Sequence, residues 1–212
     1  MTDVLYLGTS PADPSVADAL DRLKIGLMCQ PGSNRPKPGW VWAADNGCFN
    51  ARWEPGRWER WLNLPHPRAG CLFATVPDVV ADHNATLHRW GVYAPLVAAA
   101  RYPLAFVGQD GATTATVPWD ELDCLFIGGS TEWKLSETAF GLAAEATRRG
   151  KWVHVGRVNS GSRFAAWAPH ADSADGTFLA FGPSTNMTRL HGWIDTTDAT
   201  PALLLTAGNH HA

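Results

Sequence analysis

Eight short apolar runs, each bounded by turn-forming residues, constrain this 212-residue chain more than any other feature. They are Val4 to Gly8, Ile25 to Cys29, Val41 to Asp45, Cys71 to Val76, Leu104 to Gly108, Cys124 to Gly129, Trp152 to Gly156 and Asp175 to Phe181. Short runs without a polar face are the pattern of strands covered on both sides in a parallel sheet. Parallel neighbours need crossovers, and segments of helical character stand between the runs: Pro14 to Leu23, Pro55 to Trp61, Val80 to Trp90, Ser136 to Arg149 and Ser160 to Trp167. The clearest is SETAFGLAAEATRRG, where Ser136 caps the start, Arg148 and Arg149 suit the negative C-terminal end and Gly150 stops the helix.

Alternating strands and helices imply βαβ units, and eight parallel strands are the number that closes a barrel. An open doubly wound sheet is the structural rival, but no GxGxxG or GxxxxGK[ST] pattern follows the first run. The expected fold is α/β, a compact (β/α)8 TIM-like barrel forming one catalytic domain over residues 1–212. The crossover around Pro118 to Leu122 is short, so a distorted barrel or a missing helix is expected there.

A hydrophobic content of 45% against 17% charged residues suits a chain that buries a core. The net charge of -3 lacks the basic footprint of a dedicated nucleic-acid-binding module. Cys29, Cys48, Cys71 and Cys124 have no close pairing and read as buried thiols of a reducing compartment. The start MTDVLYLGTSPAD has no basic and apolar leader pattern, and no apolar run reaches the roughly 18 residues of a membrane span, so a cytoplasmic protein without membrane contact is expected. No metal is placed on the tail GNHHA, and no cofactor is expected.

In a barrel of this type the C-terminal strand ends meet at one mouth. Asp45 and Asn46 follow the third run, Asp78 the fourth, Gln109 and Asp110 the fifth, Gly128 and Gly129 end the sixth, Arg157 and Asn159 follow the seventh, and Asp172 and Asp175 flank the start of the last. An Asp after a strand is commonly a cap or turn former. Carboxylates and an amide recurring at successive strand ends instead form a polar ring that needs a ligand or water to satisfy it. Two carboxylates at one mouth allow glycosyl chemistry, one attacking the anomeric carbon while the other moves a proton. Glycines after a strand let backbone approach a planar ligand or simply turn the chain. Of the 11 tryptophans, one or two are expected to face a ligand, while Trp53, Trp58 and Trp61 suit a helix packing face.

These motifs, in this order, resemble the tRNA-guanine (queuine) transglycosylases and their relatives, the deazapurine DNA modification proteins of phages and bacteria. AADNGCFN (43–50) resembles the segment whose Asp serves in proton transfer, which implies that role for Asp45. ATVPDVV (74–80) and AFVGQDG (105–111) are similar to the base-reading segments, implying Asp78 and Gln109 as readers. LFIGGS (125–130) resembles the Gly-Gly segment whose backbone contacts the base, implying Gly128 and Gly129, and HVGRV (154–158) stands where the family has Met-Gly-Val-Gly. ADSADGTF (171–178) resembles the segment of the nucleophilic Asp, implying Asp175 with Asp172 as the neighbouring alternative. Arg157 and Asn159 complete the substrate-binding set.

The tRNA-acting members carry a CxCxxC zinc site, and this sequence has no cysteine after Cys124. The resemblance therefore implies exchange of guanine in DNA, rather than tRNA, for a 7-deazaguanine base through a covalent aspartyl-sugar intermediate. A chain this short would leave part of the DNA contact to a second copy or a partner subunit. Two rival readings are a metal-dependent barrel hydrolase using Asp45, Asp78, His83, His154 and Asp172, and a non-catalytic nucleobase-binding protein.

Overall fold

The computed structural model describes residues 4–9, 25–32, 35–49 and 53–198. Eight strands appear in chain order: β1 Leu5–Thr9, β2 Ile25–Cys29, β3 Trp42–Ala44, β4 Cys71–Thr75, β5 Leu104–Gly108, β6 Cys124–Ile127, β7 Trp152–Val155 and β8 Ser173–Gly176. Each pairs in parallel with the next, and β8 closes the barrel on β1 with Leu5 opposite Ser173 and Leu7 opposite Asp175. This is a (β/α)8 barrel, as expected from the eight runs. The β3–β4 pairing is irregular between Trp42 and Ala44.

Alternation along the strands builds two cores. Inward-facing Leu7, Met28, Ala43, Phe73, Ala105 and Cys124 fill the barrel, with Leu5, Phe126 and Trp152 packed against them. Outward neighbours such as Tyr6, Leu27, Trp42, Phe106, Leu125 and Val153 belong to the larger shell beneath the helices. Those helices are α1 Pro55–Leu62, α2 His83–Ala99, α3 Thr131–Lys134, α4 Glu137–Arg148, α5 Gly161–Trp167 and α6 Pro183–Asp198. In α4 the expected cap is present, with the Ala139 N–H donating to Ser136 Oγ at 3.3 Å, and Gly150 follows the helix at φ +67°. Arg148 and Arg149 both bond Glu145 within the last turns, with nitrogen to oxygen distances of 2.6 Å.

Two elements depart furthest from the expected boundaries. The helix expected over Val80 to Trp90 begins at His83 and runs to Ala99 through Gly91 and Pro95. His83, Thr86, Trp90, Ala94 and Val97 lie buried along one face, and Pro95 is turned to solvent, so packing outweighs the helix-breaking residues. The last strand, expected over Asp175 to Phe181, covers Ser173–Gly176. Its apolar continuation is a 3-10 turn, Phe178–Ala180, whose Leu179 is buried and whose Phe178 lies 4.4 Å from the Trp193 ring of α6. The run was apolar because it covers a helix, not because it continues the sheet.

No helix lies between β5 and β6, so the short crossover around Pro118 to Leu122 is what it was read to be. The segment from Pro14 to Leu23 and the tail GNHHA lie outside the described residues. Among the described residues no helix is long and apolar enough to cross a membrane. All four cysteines are free, and burial pushes the Cys29, Cys48 and Cys71 thiols up to about 12.

Trp42 shows what the shell contributes. It is fully buried, its Nε1–H donates to the Pro67 carbonyl at 3.0 Å, and Tyr102 meets it edge-on at 6.1 Å. Trp42→Ala is expected to lower the unfolding free energy by about 3–5 kcal/mol, read from urea titration. A loss below 1 kcal/mol would contradict this packing.

Candidate active site

The inward parity that fills the barrel continues to its C-terminal mouth. Leu7 is followed by Thr9, Met28 by Gln30, Ala43 by Asp45, Phe73 by Thr75, Phe126 by Gly128, His154 by Gly156 and Ser173 by Asp175. Together with the loops beyond, these residues line a cavity of about 290 Å³, at the small end of ligand pockets. Asp45, Asp78, Gln109, Gly128, Gly129, Arg157 and Asp175 all reach it.

Burial pushes the Asp45 carboxyl up to about 7, with the charges of Asp175 and Asp78 adding to the effect and the Gly47 and Asn46 amides opposing it. Near neutral pH it therefore shares its proton between two states, as a group passing protons must. Asp175 sits in a different setting. Its Oδ1 accepts the Arg157 backbone N–H at 3.2 Å and lies 3.1 Å from His154 Nε2.

Asp78 is anchored on both oxygens. Asn46 Nδ2 donates to Oδ1 at 2.9 Å and Gln109 Nε2 to Oδ2 at 2.6 Å. Burial still raises this carboxyl above its ordinary range. Asn46 is itself tied to both strand ends, its backbone N–H donating to Thr75 Oγ1 at 2.7 Å and its Nδ2 to the Val76 carbonyl at 3.0 Å. Gln109 Oε1 accepts the N–H groups of Ala81 at 2.8 Å and Gly129 at 2.9 Å. Gln109 thus spends most of its bonding capacity orienting Asp78 and the two loops beside it.

Gly128 and Gly129, whose backbone the resemblance implies as a base contact, line the cavity with their amide N–H groups turned to protein acceptors. The Gly128 N–H donates to the Gly108 carbonyl at 2.9 Å and the Gly129 N–H to Gln109, so both amides are already engaged. A Cβ on Gly128 would stand 2.8 Å from Gln109 Nε2, and one on Gly129, at φ +69°, 2.6 Å from the Trp133 ring. These positions need glycine so that Gln109 and Trp133 can pack. Arg157, itself at φ +60°, bonds the Gly129 carbonyl through Nη2 and lays its guanidinium 4.5 Å from the ring centre of Phe49.

Two expected residues lie elsewhere. Asp172 precedes β8 at the far end of the barrel, where its carboxylate accepts the Val153 N–H at 2.8 Å and its carbonyl the Leu5 N–H at 3.0 Å. Because β8 begins at Ser173, Asp172 joins strand starts, and only Asp175 reaches the mouth. Asn159 is exposed behind Gly176 and does not line the cavity. Asp110 braces Ser130, the cap of α3, accepting its N–H at 2.7 Å and its hydroxyl at 2.6 Å.

Residues not singled out from the sequence include Thr9, Thr75, Thr177, Phe49 and Phe126. The inward parity marks the threonines and Phe126; nothing in the sequence marks Phe49, which is 65% exposed at the rim. Among the described residues no tryptophan lines the cavity, and Trp53 packs against Tyr93 and Arg89. The five residues of the metal-site rival do not converge, since His83 bonds Thr116 and packs on outward-facing Phe106 while Asp172 is at the opposite end. Among the described residues no group of three or more His, Cys, Asp or Glu side chains is placed to share a metal ion.

Solved structures with the same fold include an aldolase from TTHB1, with a TM-score of 0.60 and 14% identity over 92% of this chain and 93% of that one. A tryptophan synthase chain from M. tuberculosis gives 0.53 and 16%, covering 93% of this chain and 92% of that one. An enolase protein from Sargasso Sea environmental sequencing gives 0.51 and 12%, covering 82% and 54%. Similarity at this level is similarity of fold, and it places the chain among TIM barrels. No family model matches the chain, and no curated protein matches it in sequence.

Asp45 has a stability consequence. Its folded value near 7 lies above the unfolded value near 4, so the folded state binds more protons between these limits and stability falls as pH rises through them. Asp45→Asn removes that loss. Urea midpoints should show the variant gaining on the parent protein from pH 4 to pH 7 and no further above it; a pH-independent difference would contradict the assignment.

Proposed function

We propose that this barrel is a base-exchanging glycosyltransferase that removes guanine from DNA and installs a 7-deazaguanine base. The observation that carries the reading is two carboxylates of different character in one cavity. Asp45 is pushed up to about 7, while Asp175 is oriented through one oxygen. Such a difference is how paired carboxylates divide acid and nucleophile roles.

Asp175 attacks the sugar anomeric carbon, and the bond from that carbon to the departing base breaks as Asp45 gives the base nitrogen a proton. Asp45 then takes a proton from the entering base, whose nitrogen displaces the Asp175 carboxylate. Proton and electron pair return to their starting places, so the exchange needs no oxidant or further reactant.

The base must leave its stack to reach the cavity. Phe126 and Val80 offer apolar surface within it, and Phe49 under the Arg157 guanidinium offers an aromatic face at the rim. Asp78, held in place by Asn46 and Gln109, presents a carboxylate to the N–H groups of a guanine edge. The preference for DNA over tRNA rests on the resemblance to the deazapurine DNA modification proteins.

Labelled guanine and 7-cyano-7-deazaguanine offered with DNA, and in parallel with tRNA, test the reading. Incorporation into DNA is expected, with Asp175→Ala abolishing both exchange and covalent trapping. Asp45→Asn should reduce exchange by about 10²- to 10⁴-fold with the fold intact. Exchange retained in Asp175→Ala would overturn the nucleophile assignment, and base binding without exchange in the parent protein would mark a non-catalytic binding protein.

A further inference from the structure

Beneath Asp175 a chain of polar groups crosses the otherwise apolar interior of the barrel. Trp152 Nε1 donates to Ser173 Oγ at 2.8 Å, Ser173 Oγ lies 2.8 Å from His154 Nδ1, and His154 Nε2 lies 3.1 Å from Asp175 Oδ1. His154 and Ser173 are both fully buried, and the imidazole is packed against Phe73 and Phe126 at ring distances of 5.0 and 4.5 Å. The resemblance assigns no role to His154 or Ser173.

Donor and acceptor inventories settle the direction of the chain. The indole N–H of Trp152 is only a donor, so Ser173 Oγ accepts from it. The Ser173 hydroxyl then has its own proton to place, and His154 Nδ1 is the acceptor in reach. If Nδ1 carried a proton instead, the buried hydroxyl proton would lose that acceptor, at a cost that buried polar groups seldom bear. Nδ1 is therefore the bare nitrogen, and the ring proton is on Nε2, aimed at Asp175.

We propose that His154 is a positioning residue for Asp175: the relay Trp152 to Ser173 to His154 holds the imidazole as the neutral Nε2–H tautomer, which pins Asp175 Oδ1 from below. The Arg157 backbone N–H takes the same oxygen from the side. With Oδ1 held by two donors, Oδ2 is the oxygen presented to the sugar carbon. Gly156 makes room for this arrangement, because a Cβ there would stand 3.3 Å from Asp175 Oδ1 and 2.6 Å from the Phe126 ring.

The catalytic half of this inference rests on the proposed nucleophile role of Asp175, whereas the tautomer does not. Long-range ¹H–¹⁵N spectra of the full chain, labelled in histidine and assigned with His154→Gln, should show His154 with a bare Nδ1 and a protonated Nε2 at pH 7. A protonated Nδ1 overturns the relay whatever the protein catalyses. In trapping assays, His154→Phe keeps an aromatic ring but removes the donor, and should slow aspartyl-sugar formation by about 10²-fold with base KM unchanged. His154→Gln, whose amide can donate to Oδ1, should recover part of that loss. A folded His154→Phe that traps at the parent rate overturns the positioning role, whereas loss of trapping in no Asp175 variant would overturn the nucleophile reading and leave the tautomer result standing.

Discussion

Closure of eight parallel strands forces every inward side chain into one shared column. A residue at an even or odd place in its strand has no freedom over which side it serves, because side chains alternate with period two. Below, the column is filled by Leu7, Met28, Phe73 and Cys124; above, it opens and the same parity delivers Thr9, Asp45, Thr75 and Asp175. The site is the core continued upward into solvent. This is why carboxylates from distant segments of the chain lie close enough for the charges of Asp175 and Asp78 to act on Asp45.

The same column explains how the carboxylates differ. Asp45 gathers negative neighbours and limited solvation, which favour its neutral form. Asp175 stands over a polar thread through the interior, His154 and Ser173, and its Oδ1 receives two nitrogens. Asp78 is clamped between Asn46 and Gln109. Three chemically identical groups thereby acquire three settings from their partners alone. A buried lysine adds to the asymmetry on the β7 side: Lys134, lowered to about 8 by burial and by Arg157, donates to the Gly156 carbonyl at 2.6 Å and fixes the strand end beside Asp175.

Much of this was legible in the residues. The eight runs, the helix capped by Ser136 and the absence of a crossover helix near Pro118 were readable because local pattern and final packing agree there. Seven of the nine residues singled out for the site reach the cavity. Asp172 precedes the last strand under either boundary and so belongs to the strand starts, whereas the two-residue error put Asp175 at the start of a strand in which it stands one residue from the end. His154 was read only as a metal ligand in a rival scheme, since one histidine in an apolar run carries no sign of what stands beside it.

By itself the sequence determined the strand count, the parity of each run and hence the set of side chains able to meet at one mouth, because these depend on local backbone geometry and hydrophobic periodicity. Only the tertiary structure decided which polar atoms bond one another. The pairing of Gln109 with Asp78, the engagement of the Gly128 and Gly129 amides and the thread from Trp152 to Asp175 join segments as much as 31 residues apart. Hydrogen bonds depend on distances of a few tenths of an ångström between such segments, and those distances exist only once the barrel has closed.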